Sequence, residues 1–144
     1  MVESIRTNMD KRLFSCGVFI DLKKAFDTVD HKILLAKLNY YSFRGIDNQW
    51  LSSYLTNSTQ TTEINSFISD KEVVSCGVPQ GSVSGPLLFL QYVNDIQYCS
   101  RKLKFFLFAD DTNVLYSHEN FKTLELIVNI ELNNLFDWLT ANKL

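Results

Sequence analysis

FFLFADDTNVLYS, residues 105–117, sets Asp110 and Asp111 side by side between two runs of large apolar residues. Adjacent carboxylates repel, and drawing an unpaired charge toward an apolar interior costs several kcal/mol. Such a pair either tips a solvent-exposed turn or has something cationic against it. The flanking segments KLKFFLFA (102–109) and TNVLYS (112–117) are rich in aromatic and β-branched residues, the composition of strands. Two strands with a short polar break between them make an antiparallel hairpin, and the break predicts Asp110-Asp111 as its turn.

Outward from this hairpin, the last segment places Phe121, Leu124, Val128, Leu132, Leu135 and Leu139 at steps of three or four, the apolar face of a helix packed on a sheet. SCGVFIDL (15–22) reads as a buried strand ending near Asp21. Residues 1–12 suit an exposed helix. DHKILLAKLNYYSF (30–43) has helical spacing with Asp30 as N-cap, and IDNQWLSSYL (46–55) forms a second helix after Gly45. TQTTEIN (59–65) and EVVSCGV (72–78) read as strands joined by a turn around Ser69 and Asp70. PQGSVSGP (79–86) is a loop that leads into a helix, PLLFLQYVNDIQYC. The fold class expected is α+β, with an antiparallel sheet and helices packed on one face.

The chain has 144 residues, 46% hydrophobic and 21% charged, which suits one globular domain, and no linker or repeat marks a boundary. A net charge of −2 counts against a nucleic-acid binder held by a general basic surface, yet leaves room for an enzyme that meets nucleic acid along one face. Cys16, Cys76 and Cys99 are scattered and read as reduced thiols of an intracellular protein. The polar start shows no signal peptide, and the longest apolar stretch, GPLLFLQYV, is too short to span a bilayer; a soluble protein without a membrane partner is expected.

With the aspartate pair at a hairpin turn, a second acidic site should lie at the end of another central strand. Asp21 is that residue. Side by side in a sheet, these strand ends could bring Asp21 and Asp110 to one ion. Oxygen-only ligands without a His or Cys cluster suit Mg²⁺, which keeps waters and borrows substrate phosphates as ligands. Two such ions (Mn²⁺ could substitute) support phosphoryl-group transfer. Taken singly, each feature has a plainer reading: a solvated turn for the pair, a helix cap for Asp21.

The order of motifs decides between these readings. GVFIDLKKAFDTVDH, CGVPQGSVSGPLLF and FLFADDTNVLYS follow one another as in the palm of reverse transcriptases. The sequence closely resembles the jockey-like retrotransposons without long terminal repeats, from about Cys16 to the last residue. The resemblance implies an RNA-directed DNA polymerase that transfers deoxynucleotides onto a primer 3′-OH. Its partners would be an RNA template, a DNA primer and deoxynucleotide triphosphates. It implies Asp21, Asp110 and Asp111 as metal ligands and catalytic carboxylates, with the carbonyl of Leu22 completing one shell. Backbone amides near Lys24 and Ala25 would approach the triphosphate. Phe26 would exclude a ribose 2′-OH, where without the resemblance its plainer reading is core, and Gln80 with Gly81 would line the nucleotide and template pocket. Asp27 and Asp30 fit turn and cap roles better than ligation. Lys23, Lys24, Arg101, Lys102 and Lys104 read as solvated, His31 and His118 as without a role, and Trp50 and Trp138 as core or interface anchors.

One departure from the family is Ser84, where a large aliphatic residue is common. Residues 1–144 would form a partial domain, the palm without most of the fingers and the thumb, and without a lysine expected beyond Leu144. By itself such a piece is expected not to copy RNA. A truncated, inactive remnant that at most binds a partner is the alternative. An RNA-copying RNA polymerase fits less well, because Phe26 would block ribonucleotides.

Overall fold

The computed structural model describes residues 1–56, 58–79 and 81–144, and divides into two compact units: Met1–Ala25 with Val93–Leu144, and Phe26–Tyr92 between them in sequence.

The first unit is built on three antiparallel strands, β1 (Phe14–Asp21), β6 (Lys104–Phe108) and β7 (Asp111–His118), in the order β1-β7-β6. The alternation of side chains in a strand sorts the residues onto two faces. On one face Val18, Ile20, Val114, Tyr116 and Phe105 pack with Leu103, Ile96 and the helix α6 (Phe121–Ala141), whose Leu135 is fully enclosed. Fully burying one such aliphatic side chain contributes about 1.5–3 kcal/mol, so this face anchors the unit. Asn120 caps α6, its side-chain oxygen accepting from the Thr123 amide at 3.0 Å. Leu124, Val128 and Leu135 of the expected apolar stripe are buried. Phe121 departs from it: the ring stays exposed, edge-on to Phe14 at 5.8 Å, because α6 has only begun there.

The other face carries Ser15, Gly17, Phe19 and Asp21 of β1 beside Asp111, Asn113, Leu115 and Ser117 of β7. The helix α1 (Val2–Asp10) lies over its far end. Asn8 donates to the Ser117 hydroxyl at 2.7 Å, the Lys104 ammonium to Ser4 at 3.0 Å, and Met1 fills the space above Gly17.

The hairpin turn sits one residue earlier than its polarity suggested. Phe108 pairs with Asp111, so the turn is Ala109-Asp110, and Asp111 is already the first residue of β7. Ala109 takes φ 52°, a left-handed conformation that a two-residue hairpin demands and that alanine adopts only under strain.

The second unit contains α2 from Phe26 to Thr28 (the helix spans Ala25–Thr28), α3 (His31–Tyr40), α4 (Ile46–Leu55), a β ribbon and most of α5 (Ser84–Val93). Asp30 caps α3, its carboxylate accepting from the Lys32 and Ile33 amides at 2.9 and 3.1 Å. The ribbon pairs β2 (Thr59–Gln60) with β5 (Glu72–Val73), and β3 (Glu63–Ile64) with β4 (Phe67–Ile68). Its turn is Asn65-Ser66, both at positive φ, not Ser69-Asp70 as expected. The register slips by one residue between Ile68 and Glu72, so Ser69 and Asp70 lie in a bulge. The helix expected from Pro86 to Cys99 begins at Ser84, inside the Gly-Pro-Ser cluster, and ends at Val93; Ile96–Cys99 is a separate 3-10 turn.

Burial pushes the Cys99 thiol up to about 11, with Glu131 and Asp95 adding to the effect, whereas Cys76 is exposed. Only thiolate reacts, so at pH 8.5 an alkylating reagent should modify Cys76 rapidly and spare Cys99. Mass spectrometry of a time course checks this; equal rates at the two sites would contradict it. The raised value also means that the neutral Cys99 thiol favours the folded state below about pH 9, and that this contribution is lost as pH rises toward 11.

Candidate functional site

Register alone sets two carboxylates against each other. Asp21, the last residue of β1, pairs directly with Asp111, the first of β7. Residues opposed in an antiparallel pair have Cβ atoms roughly 4.5–5.5 Å apart, so two like charges share one spot on one face. Asp110, half-buried, stands next to them in the hairpin turn. The three sequence-predicted carboxylates therefore gather at one end of the sheet. Among the described residues, no three His, Cys, Asp or Glu side chains form a ready-made metal cage. The donor set is two opposed carboxylates and a turn neighbour, all oxygen. That set fits Mg²⁺, which takes one or two protein carboxylates and completes its shell with water and phosphate.

The neighbourhood of the pair is apolar and open. Phe19, Phe106 and Phe108 share the carboxylate face, and Phe19 and Phe108 are 74% and 78% exposed, because α1 covers only the opposite end. Asn113 lies between Phe19 and Phe106 in register.

After Asp21 the chain turns at once. The Leu22 carbonyl accepts from the Ala25 amide at 3.2 Å, and Lys24 takes φ 56°. This turn uses the Ala25 amide internally, while the carbonyl keeps a second lone pair. Leu22 and Ala25 are buried; Lys23 and Lys24 are exposed.

The remaining predicted residues belong to the second unit. Phe26 is half-buried, with its ring against Phe89 at 4.9 Å between centroids. One side of that ring is thus core packing. Gly81 is exposed at φ 79°, a conformation that favours glycine, and a Cβ there would meet open space. Gln80 lies outside the described residues.

Two residues that sequence reasoning passed over hold this region. His31 is buried, and its Nε2 donates to the Gly77 carbonyl at 2.7 Å. Gly77, at φ 88°, donates its amide to the Val29 carbonyl at 2.8 Å, while the Val78 amide donates to the Phe26 carbonyl at 2.8 Å. A buried histidine 46 positions from its partner leaves no local signal. The glycine was visible in CGVPQG, but only the fold shows why it is there. Of the other charged residues, Lys104 lies 5.3 Å from the Phe106 ring centre as well as on Ser4, and Trp50 is exposed while Trp138 packs against the first unit's core.

An antiparallel sheet backed by helices, with paired aspartates at a hairpin on its open face, is the arrangement of a polymerase palm. The comparisons with known proteins agree and go further. The sequence profile described as reverse transcriptase (RNA-dependent DNA polymerase) matches residues 2–144, and the chain belongs to that family. It is 37% identical over 123 residues to the "Probable RNA-directed DNA polymerase from transposon X-element" of Drosophila melanogaster, covering 81% of this chain and 13% of that protein. It is 32% identical over 130 residues to the corresponding protein from transposon BS of the same fly, covering 81% and 14%. To the "RNA-directed DNA polymerase from mobile element jockey" it is 30% identical over 117 residues, covering 74% and 12%. The chain thus spans a small part of the curated relatives it matches. Among the described residues, no helix is long and apolar enough to cross a membrane.

Proposed function

We propose that this chain is the palm segment of an RNA-directed DNA polymerase, and that Asp21, Asp110 and Asp111 form its nucleotidyl-transfer site. The observation that carries the reading is the direct pairing of Asp21 with Asp111 beside Asp110 on the open face of the sheet. Two directly opposed carboxylates with a third beside them suit divalent cations. Mg²⁺ or Mn²⁺, when bound, would supply charge stabilisation for the attacking 3′-hydroxyl and for the leaving pyrophosphate. The protein's own part is to set Asp21 and Asp111 against each other at two strand ends, with Asp110 in the turn beside them. The Leu22 carbonyl, one residue on, is a further oxygen donor of the same kind. The backbone near Lys24 and Ala25 would approach the triphosphate, although the Ala25 amide already donates to the Leu22 carbonyl, and Gln80 with Gly81 would line the nucleotide and template pocket. An RNA template, a DNA primer and deoxynucleotide triphosphates are the partners this reading requires.

Mn²⁺ should bind weakly to the isolated chain, and more tightly once a deoxynucleotide triphosphate lends its phosphates. Water-proton relaxation during a Mn²⁺ titration, with the wild type against Asp110→Asn, checks this. Equal binding by the two would remove Asp110 from the metal set.

Phe26 would act as the sugar gate, its ring taking the space of a 2′-OH. Its packing on Phe89 supports a fixed ring position, as a gate requires. In a polymerase carrying this segment, Phe26→Val should lower the ratio of kcat/KM for deoxy- over ribonucleotides by about tenfold or more, since a steric gate works through differential transition-state binding. An unchanged ratio would return Phe26 to the core alone.

A further inference from the structure

A groove of about 620 Å³ opens beside the end of α4, within the Phe26–Tyr92 unit. Asp27, Tyr54, Leu55, Gln60, Val73 and Ser75 are among its lining residues, and no lysine or arginine is among the described ones. Trp50 sets the Tyr54 ring as an aromatic wall, stacked on it with 10° between planes and 5.6 Å between centroids. Glu72 stands directly opposite Gln60 in the ribbon, which brings a second carboxylate to that wall. From Gly45 to Tyr92 the sequence carries Asp47, Glu63, Asp70 and Glu72 against Lys71 alone, so the negative sign extends beyond the groove. An arginine fits such a lining. Its stem packs on apolar side chains, while its planar guanidinium stacks on an aromatic ring and bonds to a carboxylate. The ribbon carries an apolar surface on from the groove. Ile64 pairs with Phe67 at its tip and Ile68 follows, and the three are 66%, 82% and 69% exposed. Gln60 and Ile64 are four residues apart, roughly 13 Å of extended chain at about 3.3 Å per residue. Contiguous exposed apolar side chains mark contacts with other proteins or with membranes, and the acidic surroundings repel an anionic membrane surface.

We propose that groove and ribbon together dock a basic, apolar segment of a protein partner, with an arginine in the groove beside Asp27 and Tyr54 and apolar side chains on Ile64 and Phe67. Such docking is independent of nucleotide transfer at Asp21, Asp110 and Asp111. The probe is a fluorescein-labelled peptide, Leu-Phe-Ser-Thr-Arg-Thr-Ser-Phe-Leu. It reads the same in both directions, so apolar residues flank its arginine at the same spacing whichever way it lies. Fluorescence anisotropy with the 144-residue chain should show binding with a Kd below about 1 mM. Citrulline in place of the arginine keeps the shape, removes the charge, and should weaken binding about tenfold or more. Asp27→Asn should weaken the arginine peptide about fivefold or more and leave the citrulline peptide unchanged, a coupling that a direct charge pair produces. Phe67→Ser, at an exposed position, should weaken both peptides about fivefold or more, and it reports on the ribbon even where Asp27→Asn fails to fold. Asp137→Asn, on α6 in the other unit, is the charge control and should change nothing. Absence of binding, equal binding of the arginine and citrulline peptides, or full binding by a folded Asp27→Asn or Phe67→Ser would each overturn the proposal. Displacement of the bound peptide by hexauridylate would overturn it too, and would assign the surface to nucleic acid instead.

Discussion

Gly77→Ala is expected to destabilise the Phe26–Tyr92 unit by roughly 2–4 kcal/mol, combining left-handed backbone strain with a forced backbone shift. The strain comes from φ 88°. The shift comes from a Cβ that would stand 3.1 Å from the Asp27 carbonyl oxygen and 3.2 Å from the Asp27 Cα, both backbone atoms that cannot rotate aside. Moving that backbone loosens the hydrogen bonds from Gly77 to Val29 and from Val78 to Phe26, and the His31 contact with the Gly77 carbonyl. Gly81→Ala is the matched control. It has nearly the same φ, 79°, but open space around the Cβ, so it should cost only about 1 kcal/mol. Urea unfolding of the two variants separates strain from close approach. A Gly77→Ala midpoint no lower than that of Gly81→Ala would mean that the close approach relaxes without cost.

The meeting of Asp21 with the Asp110-Asp111 hairpin was largely legible in the sequence because its parts are local. A β-branched run ending at Asp21 and a second apolar pair of strands around Asp110-Asp111 predict strand ends, and antiparallel pairing does the rest. The one-residue error in the turn has a definite cause. Alanine carries no turn signal, yet the pairing of Phe108 with Asp111 leaves Ala109 to take the left-handed corner. The ribbon misled for the opposite reason. Ser69-Asp70 is the more polar stretch, but Asn65-Ser66 supplies the two positive-φ positions, and the polar residues mark a register slip. The start of α5 at Ser84 was hidden because Pro86 falls in the first turn, where a missing amide costs nothing. His31 was beyond reach. Its partner lies 46 residues away, and nothing near position 31 announces it. The aromatic stack on α4 could have been noticed as Trp50 and Tyr54 at helical spacing, but exposure, which makes it of interest, is a property of the fold.

The three aspartates lie at one end of the β1–β7–β6 sheet. If Asp21, Asp110 and Asp111 form the transfer site, the chemistry depends on charge held in place there and on little else that a side chain does. Asn keeps the shape of Asp and removes its charge, so it tests electrostatics without emptying the site. The turn and the strand register should survive, since neither needs the carboxylates ionised, and in Asp21→Asn relief of like-charge repulsion with Asp111 should leave folding stability equal or slightly higher. The measurement is single-nucleotide extension of a DNA primer on an RNA template in Mg²⁺, by a polymerase carrying this segment, wild type against Asp21→Asn and Asp110→Asn. Each substitution should lower the rate of incorporation roughly a hundred- to thousandfold or more while the protein stays folded. Incorporation by either folded variant within a few-fold of the wild type would contradict the assignment of that carboxylate to the transfer site.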